Sequence, residues 1–186
     1  CARVGVTCEF VANEWDTIIP NLLSGNYDAI IAGMNITDER DAVIDFTQNY
    51  TPPAAAAYAA LSPDADIAGG VVAAQAGTIH AAHVAGSGAT LLEFATPEET
   101  LAAVRNGEAD AVFAVQDYLE PAVEAAGGGL VLVGEPVYLG RGVGMGFREG
   151  DDALTARFDE AIGAMKADGT LNALILKWFG EDAQTY

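Results

Sequence analysis

The chain has 186 residues, 51% hydrophobic and 19% charged, with 27 acidic against 8 basic side chains and a formal charge of -19. At roughly 100 to 200 residues per domain, this allows one domain or two small lobes around a real core, and it excludes a multidomain assembly or a disordered chain. The few Lys and Arg are scattered and do not neutralise phosphates, which excludes nucleic acid and anionic membrane surfaces as partners.

The charge fits a freely diffusing protein and a salt-adapted source equally well. The longest apolar stretches are Ala-rich and are broken by Pro53, Pro63 and paired glycines, short of the roughly 18 to 20 residues that a spanning helix needs. No basic segment with an apolar core opens the sequence, so a secretory leader is expected to be absent or already removed.

Cys1 and Cys8 come first in chain order. Cys8-Glu9-Phe10-Val11 has strand character, which makes Cys1 the end of a helix and Cys8 the start of a returning strand. Two small buried thiols and a short disulfide loop both fit that arrangement, and a bond would imply an oxidising compartment.

An internal echo follows. Leu22-Leu23-Ser24-Gly25-Asn26-Tyr27-Asp28-Ala29-Ile30-Ile31 is answered by Ala103-Val104-Arg105-Asn106-Gly107-Glu108-Ala109-Asp110-Ala111-Val112-Phe113. Each copy reads as a helix end, a Gly able to take the left-handed conformation, an Asp turn and a short buried strand. Thr96-Pro97-Glu98-Glu99 supplies an N-cap, a Pro at the first helical position and acids in the first turn of the second helix. Repetition at this separation predicts two related α/β lobes.

Between the copies, Thr51-Pro52-Pro53-Ala54 leads an extended segment to Ala60, and Leu61-Ser62-Pro63-Asp64 turns it. After the second copy come Gly127-Gly128-Gly129, a strand from Leu130 to Val133, and Glu135-Pro136-Val137. These Pro-marked stretches are the expected crossings, which assigns 1–54 and 138–186 to lobe 1 and 55–137 to lobe 2. The end is helical: Asp151-Asp152 cap a stretch with Leu154, Phe158, Ile162 and Met165 at helical spacing, Asp168-Gly169 stops it, and Leu171 to Trp178 forms a second helix.

The chain resembles the periplasmic solute-binding proteins of polar amino-acid ABC importers, of the type that binds lysine, arginine, ornithine or histidine. The resemblance rests on Cys1-x6-Cys8, Trp15-Asp16-x-Ile18-Ile19-Pro20, Gly25-x-x-Asp28-Ala29-Ile30-Ile31-Ala32-Gly33-Met34-x-Ile36-Thr37-x-Glu39-Arg40, Asp45-Phe46 and Gln75-Ala76-Gly77-Thr78. It continues through Gly144-Met145-Gly146-x-Arg148 and Met165-Lys166-Ala167-Asp168-Gly169-Thr170 to Lys177-Trp178-Phe179. It implies an α/β periplasmic binding protein fold (type II), two lobes with a ligand cleft between them, a Cys1–Cys8 disulfide, a periplasmic location and an inner-membrane permease as partner. It also implies that a strand and most of a helix precede Cys1 in relatives. The first lobe is then expected to be incomplete, and this 186-residue form to self-associate through unpaired strand edges.

The resemblance also supplies candidate site residues, each with a blander alternative. Arg40 is expected to clamp a ligand carboxylate with its guanidinium fork; the alternative is a first-turn Arg bridged to an acid on a solvated face, worth about 0 to 1 kcal/mol. Gly33 and Asn35 close the strand from Asp28 and offer backbone groups and an amide to an amino-acid head group, or simply make a tight turn. Trp15 covers the ligand side chain or is a core aromatic.

In the second lobe, Gly77, Thr78 and Ile79 end a strand and open a helix, where N–H groups meet an anion or serve only as a turn. His80 and His83 share a helix face with no carboxylate or Cys close in sequence, which makes a metal site a poor reading, and no cofactor is expected. One position departs from the family pattern: Val115 stands where an Asp normally pairs with the ligand ammonium. An unpaired ammonium in a closed cleft costs roughly 3 to 5 kcal/mol, so either Asp117 takes the role or the ligand is not an ordinary amino acid.

Three functions compete: a binding module that closes on a solute, an enzyme on the same scaffold of the cyclohexadienyl dehydratase type, and the sensing domain of a receptor. Binding is the primary reading, because Asp117 is the one general acid or base among the cleft positions named.

Overall fold

In a computed structural model, which describes residues 1–181 and 183–186, the chain divides into two compact units. One comprises Cys1–Pro53 and Gly140–Tyr186, the other Ala54–Leu139. The chain leaves the first unit after the Pro52-Pro53 pair and returns to it at Gly140.

The continuous unit is built on strands β2 (Ala55–Ala60), β3 (Val71–Gln75), β4 (Thr90–Phe94), β5 (Ala111–Val115) and β6 (Val131–Tyr138), following β1 in the other unit. Their order is β4-β3-β5-β2-β6, with β3 parallel to β4 and β5, and β2 antiparallel to β5 and β6. Strand β2 is Ala-rich because both of its faces are covered. Ala57 and Ala59 pack with Leu101, Val104 and Leu119, while Ala56, Tyr58 and Ala60 pack with Val72, Val84 and Phe113.

Helices α3 (Ile79–Ala85), α4 (Pro97–Asn106) and α5 (Gln116–Ala125) supply the covering residues. The expected N-cap of α4 is present, and Thr96 and Glu99 bond reciprocally as a capping box. His80 and His83 lie half-buried against Phe113, with ring centroids at 5.6 and 4.9 Å.

The discontinuous unit holds α1 (Ile18–Leu23), α2 (Asp38–Asp41), β1 (Asp45–Phe46), β7 (Gly146–Phe147), α6 (Asp152–Ala167) and α7 (Thr170–Phe179). β1 and β7 pair antiparallel, and Phe147 packs with Phe158, Ile162, Leu171 and Ile175 under the two terminal helices. The alternate glycines Gly142, Gly144 and Gly146 let neighbouring segments close in. A Cβ on Gly142 would lie 2.6 Å from the Thr51 carbonyl oxygen, and one on Gly146 would lie 2.9 Å from Ile44 Cδ1.

The internal echo has a structural counterpart: Gly25 and Gly107 both follow a helix end with φ of 77° and 76°. The Asp of each copy does different work. Asp110 accepts a hydrogen bond from the Val71 amide at 2.8 Å, whereas Asp28 pairs with Arg148 at 3.0 Å.

Four local expectations are corrected. Residues 8–12 form no strand: Phe10 is 75% and Val11 60% exposed, and no described segment pairs with them. The stretch before them is a turn around Gly5 and not a helix end. The segment from Asp28 to Ile31 is reduced to a single antiparallel bridge, Ile30 to Gly146. Asp151 precedes α6 without capping it, since its carboxylate is held at 2.8 Å by Arg148.

Candidate ligand-binding site

Four of the candidate residues lie in the discontinuous unit. Thr37 caps the short helix α2, its hydroxyl accepting from the Arg40 amide at 3.3 Å. That cap sets the direction in which the Arg40 side chain leaves the helix. Its Nη1 donates to the Asn35 carbonyl at 2.8 Å, and its Cζ lies 5.5 Å from the centroid of the Trp15 ring.

Asp38 and Asp41, two acids close in sequence, pair instead with Arg141 at 3.4 and 2.7 Å. Burial pushes the Arg40 guanidinium below its usual value, with the Glu39 carboxylate opposing. Arg40 is thus a half-buried cation, with one nitrogen on a backbone carbonyl and an aromatic face beside it.

Trp15 is half-buried beside the cluster of Ile18, Leu22, Ile30, Met34 and Ile44. It therefore combines a core contact with a face toward Arg40, so the two readings of this residue are compatible. Gly33 is exposed with φ of 68°, and its amide donates to the Tyr50 hydroxyl at 3.4 Å. Asn35 is bridged to Val143, which is bridged in turn to Thr51. The turn from Gly33 to Asn35 is thereby held to a short ladder on one side and to Arg40 and Tyr50 by individual bonds.

The remaining four candidates lie in the continuous unit. β3 and β5 are adjacent and parallel, so the residues following them emerge at the same edge of the sheet. Gly77, Thr78 and Ile79 follow β3, and Asp117 follows β5 as an exposed residue in the first turn of α5. The Thr78 hydroxyl is already engaged, donating to the Gln75 carbonyl at 2.7 Å and accepting from the Ala81 amide at 3.2 Å. It acts as the N-cap of α3. Val115 is half-buried at the end of β5, opposite Ala56.

Sequence reasoning passed over Tyr50, Asn49 and Arg141. Arg141 steers Asp38 and Asp41 away from Arg40, and its carbonyl accepts from Asn49 at 2.8 Å. These contacts span about 100 residues of chain, and no local motif encodes them.

Comparison with known proteins places the chain. The family described as bacterial extracellular solute-binding proteins, family 3, matches residues 1–181. The L-arginine-binding protein of Pseudomonas aeruginosa is 33% identical over 98% of this chain and 76% of its own length. The crystal structure of a periplasmic His/Glu/Gln/Arg/opine family-binding protein from Silicibacter pomeroyi, in complex with lysine, superposes with a TM-score of 0.97 at 67% identity, covering 100% of this chain and 85% of that one. An ancestral amino acid-binding protein, a precursor of cyclohexadienyl dehydratase, superposes at 0.81 with 30% identity over 96% of this chain and 80% of that one. These matches extend over the whole chain and share its α/β fold; the chain belongs to family 3 of the bacterial extracellular solute-binding proteins.

Proposed function

We propose that the protein binds a single amino acid with a cationic side chain in the periplasm and delivers it to an ABC permease. The observation that carries this reading is the Arg40 guanidinium, fastened to the Asn35 carbonyl at 2.8 Å and stacked on Trp15. The arginine-binding and lysine-bound relatives support the ligand class.

In this reading the solute's carboxylate pairs bidentately with the Arg40 guanidinium, assisted by the backbone at Gly33 and Asn35. Trp15 lies along the aliphatic stem of the ligand. Backbone N–H groups at Gly77, Thr78 and Ile79 join from the second unit. Asp117 meets the ammonium that Val115 cannot pair. Units that engage the same solute favour a closed state over an open one by their differential affinity, which is how a hinge protein reports occupancy to a partner.

The named groups supply charge pairing and stacking, with Asp117 as the one group able to move a proton, which favours binding over turnover. Titration calorimetry against arginine, lysine, ornithine, histidine and glutamate tests the proposal. Saturable one-to-one binding of a basic amino acid is expected, with a weaker constant for Asp117→Asn. Consumption of a cyclohexadienyl substrate without such binding would favour the dehydratase reading instead.

Self-association belongs to the same proposal. Phe10, Val11 and Ile31 are 75%, 60% and 52% exposed, and apolar side chains left open to water favour contact with a second copy. The charge of -19 opposes contact between copies, so association is expected to grow with salt. Light scattering at low and high ionic strength is the check, and a monomer under both conditions contradicts it.

A further inference from the structure

Tyr50 takes no part in the reading above, yet it sits where two separate restraints meet. Its amide donates to the Val143 carbonyl at 2.7 Å, and the Val143 amide donates to the Thr51 carbonyl at 3.1 Å. Val143 is bridged on its other side to Asn35, so main-chain hydrogen bonds fix the position of Tyr50 against the Gly33 to Asn35 turn. The ring is half-buried and packs against the cluster of Met145, Phe147 and Phe158. The hydroxyl at its tip accepts from the Gly33 amide at 3.4 Å.

We propose that Tyr50 is a positioning residue for ligand binding, its hydroxyl setting the direction of the Gly33 peptide that meets the solute's head group. The inference rests on the binding function proposed above. Gly33 needs such a restraint, because a glycine at φ of 68° has no side chain to lock its peptide, and a Cβ built there meets nothing within 4 Å. Arg40 holds the far end of the turn through the Asn35 carbonyl, and Tyr50 holds the near end.

The phenol suits the task. Burial raises its pKa, so it stays protonated at neutral pH, and one hydroxyl can accept the Gly33 N–H while donating its own proton onward.

Tyr50→Phe keeps the ring and removes the hydroxyl. The experiment records three things on this variant and the wild type: the Gly33 amide signal by NMR in the free protein, the affinity for arginine and lysine by calorimetry, and the melting temperature. The expected result is a shifted, faster-exchanging Gly33 amide and affinity lower by roughly three- to ten-fold, the range of one lost hydrogen bond, with little change in melting. A role confined to packing would leave the Gly33 amide and the affinity where they are. If the variant does not fold, 3-fluorotyrosine at position 50 keeps both ring and hydroxyl while weakening the acceptor, and the same two signals are read.

Unchanged affinity in a folded variant overturns the inference while the binding function stands. Absence of amino-acid binding by the wild type sinks the functional reading, and the Gly33 amide then decides the positioning claim by itself.

Discussion

The Arg40 guanidinium donates to the backbone carbonyl of Asn35 at 2.8 Å, closing a loop of five residues around the start of α2. The bond uses one nitrogen of a planar fork, so Arg40→Lys is not a conservative change: an ammonium cannot reproduce the guanidinium's bidentate geometry toward a carboxylate. Both Arg40→Lys and Arg40→Ala are expected to weaken amino-acid binding by at least a hundred-fold, about 3 kcal/mol for a truncated charge pair, while melting shifts only slightly. Calorimetry and thermal denaturation on the two variants provide the check. Affinity within a few-fold of wild type would return Arg40 to the solvated surface role.

Gly33→Ala separates backbone strain from crowding. Nothing lies within 4 Å of the added Cβ, yet φ of 68° costs a non-glycine residue about 1 to 2 kcal/mol. Stability should drop by that amount in a denaturant titration. Ligand affinity should fall with it if the turn relaxes toward negative φ. A variant as stable as wild type would show that the turn is not held at this dihedral.

Cys1 and Cys8 are disulfide-bonded with Cα atoms 6.0 Å apart, and the loop they close is tied to the terminal helices. Arg3 pairs with Asp168 at 2.8 Å, and Arg157 donates to the Val4 carbonyl at 2.8 Å. Closing so short a loop is worth about 2 to 3 kcal/mol in the chain-entropy account. Reduction or Cys1→Ser should therefore lower the melting temperature and loosen α6 and α7 together, which hydrogen exchange resolves. Full alkylation of both thiols in unreduced protein would show that the bond does not form.

Asp168 carries the acid dependence of that contact. The Thr170 hydroxyl, the Thr170 amide and Arg3 hold its carboxyl down at about 2, below its ordinary 3.8. A lowered folded-state pKa gives stability that is present above the unfolded value and lost as pH falls through the folded one. The contribution should disappear between about pH 4 and pH 2. An NMR titration of the Asp168 carboxyl reads the midpoint directly, and Asp168→Asn should flatten the stability profile over that window. A midpoint near 4 would mean the Arg3 and Thr170 contacts are not held in solution.

Some of this was legible in the sequence because it is encoded locally. The Gly25 and Gly107 turns, the Thr96 N-cap and the two terminal helices each depend on residues within a few positions of one another, and propensity and spacing report such features faithfully. The strands expected at Cys8 to Val11 and at Asp28 to Ile31 were overread, because strand character in a sequence says nothing about whether a partner lies alongside. Asp151 was expected to cap α6 and instead serves Arg148, three residues back. Tyr50 and Arg141 escaped notice for the converse reason: their partners Gly33 and Asp41 lie 17 and 100 residues away.

Native mass spectrometry of the protein, before and after addition of arginine or lysine, tests the binding account most directly. The account predicts a complex heavier by one amino acid per chain, retained through purification or formed on titration, and absent in Arg40→Ala. A spectrum that shows only the bare 19.2 kDa chain at every ligand concentration would contradict it.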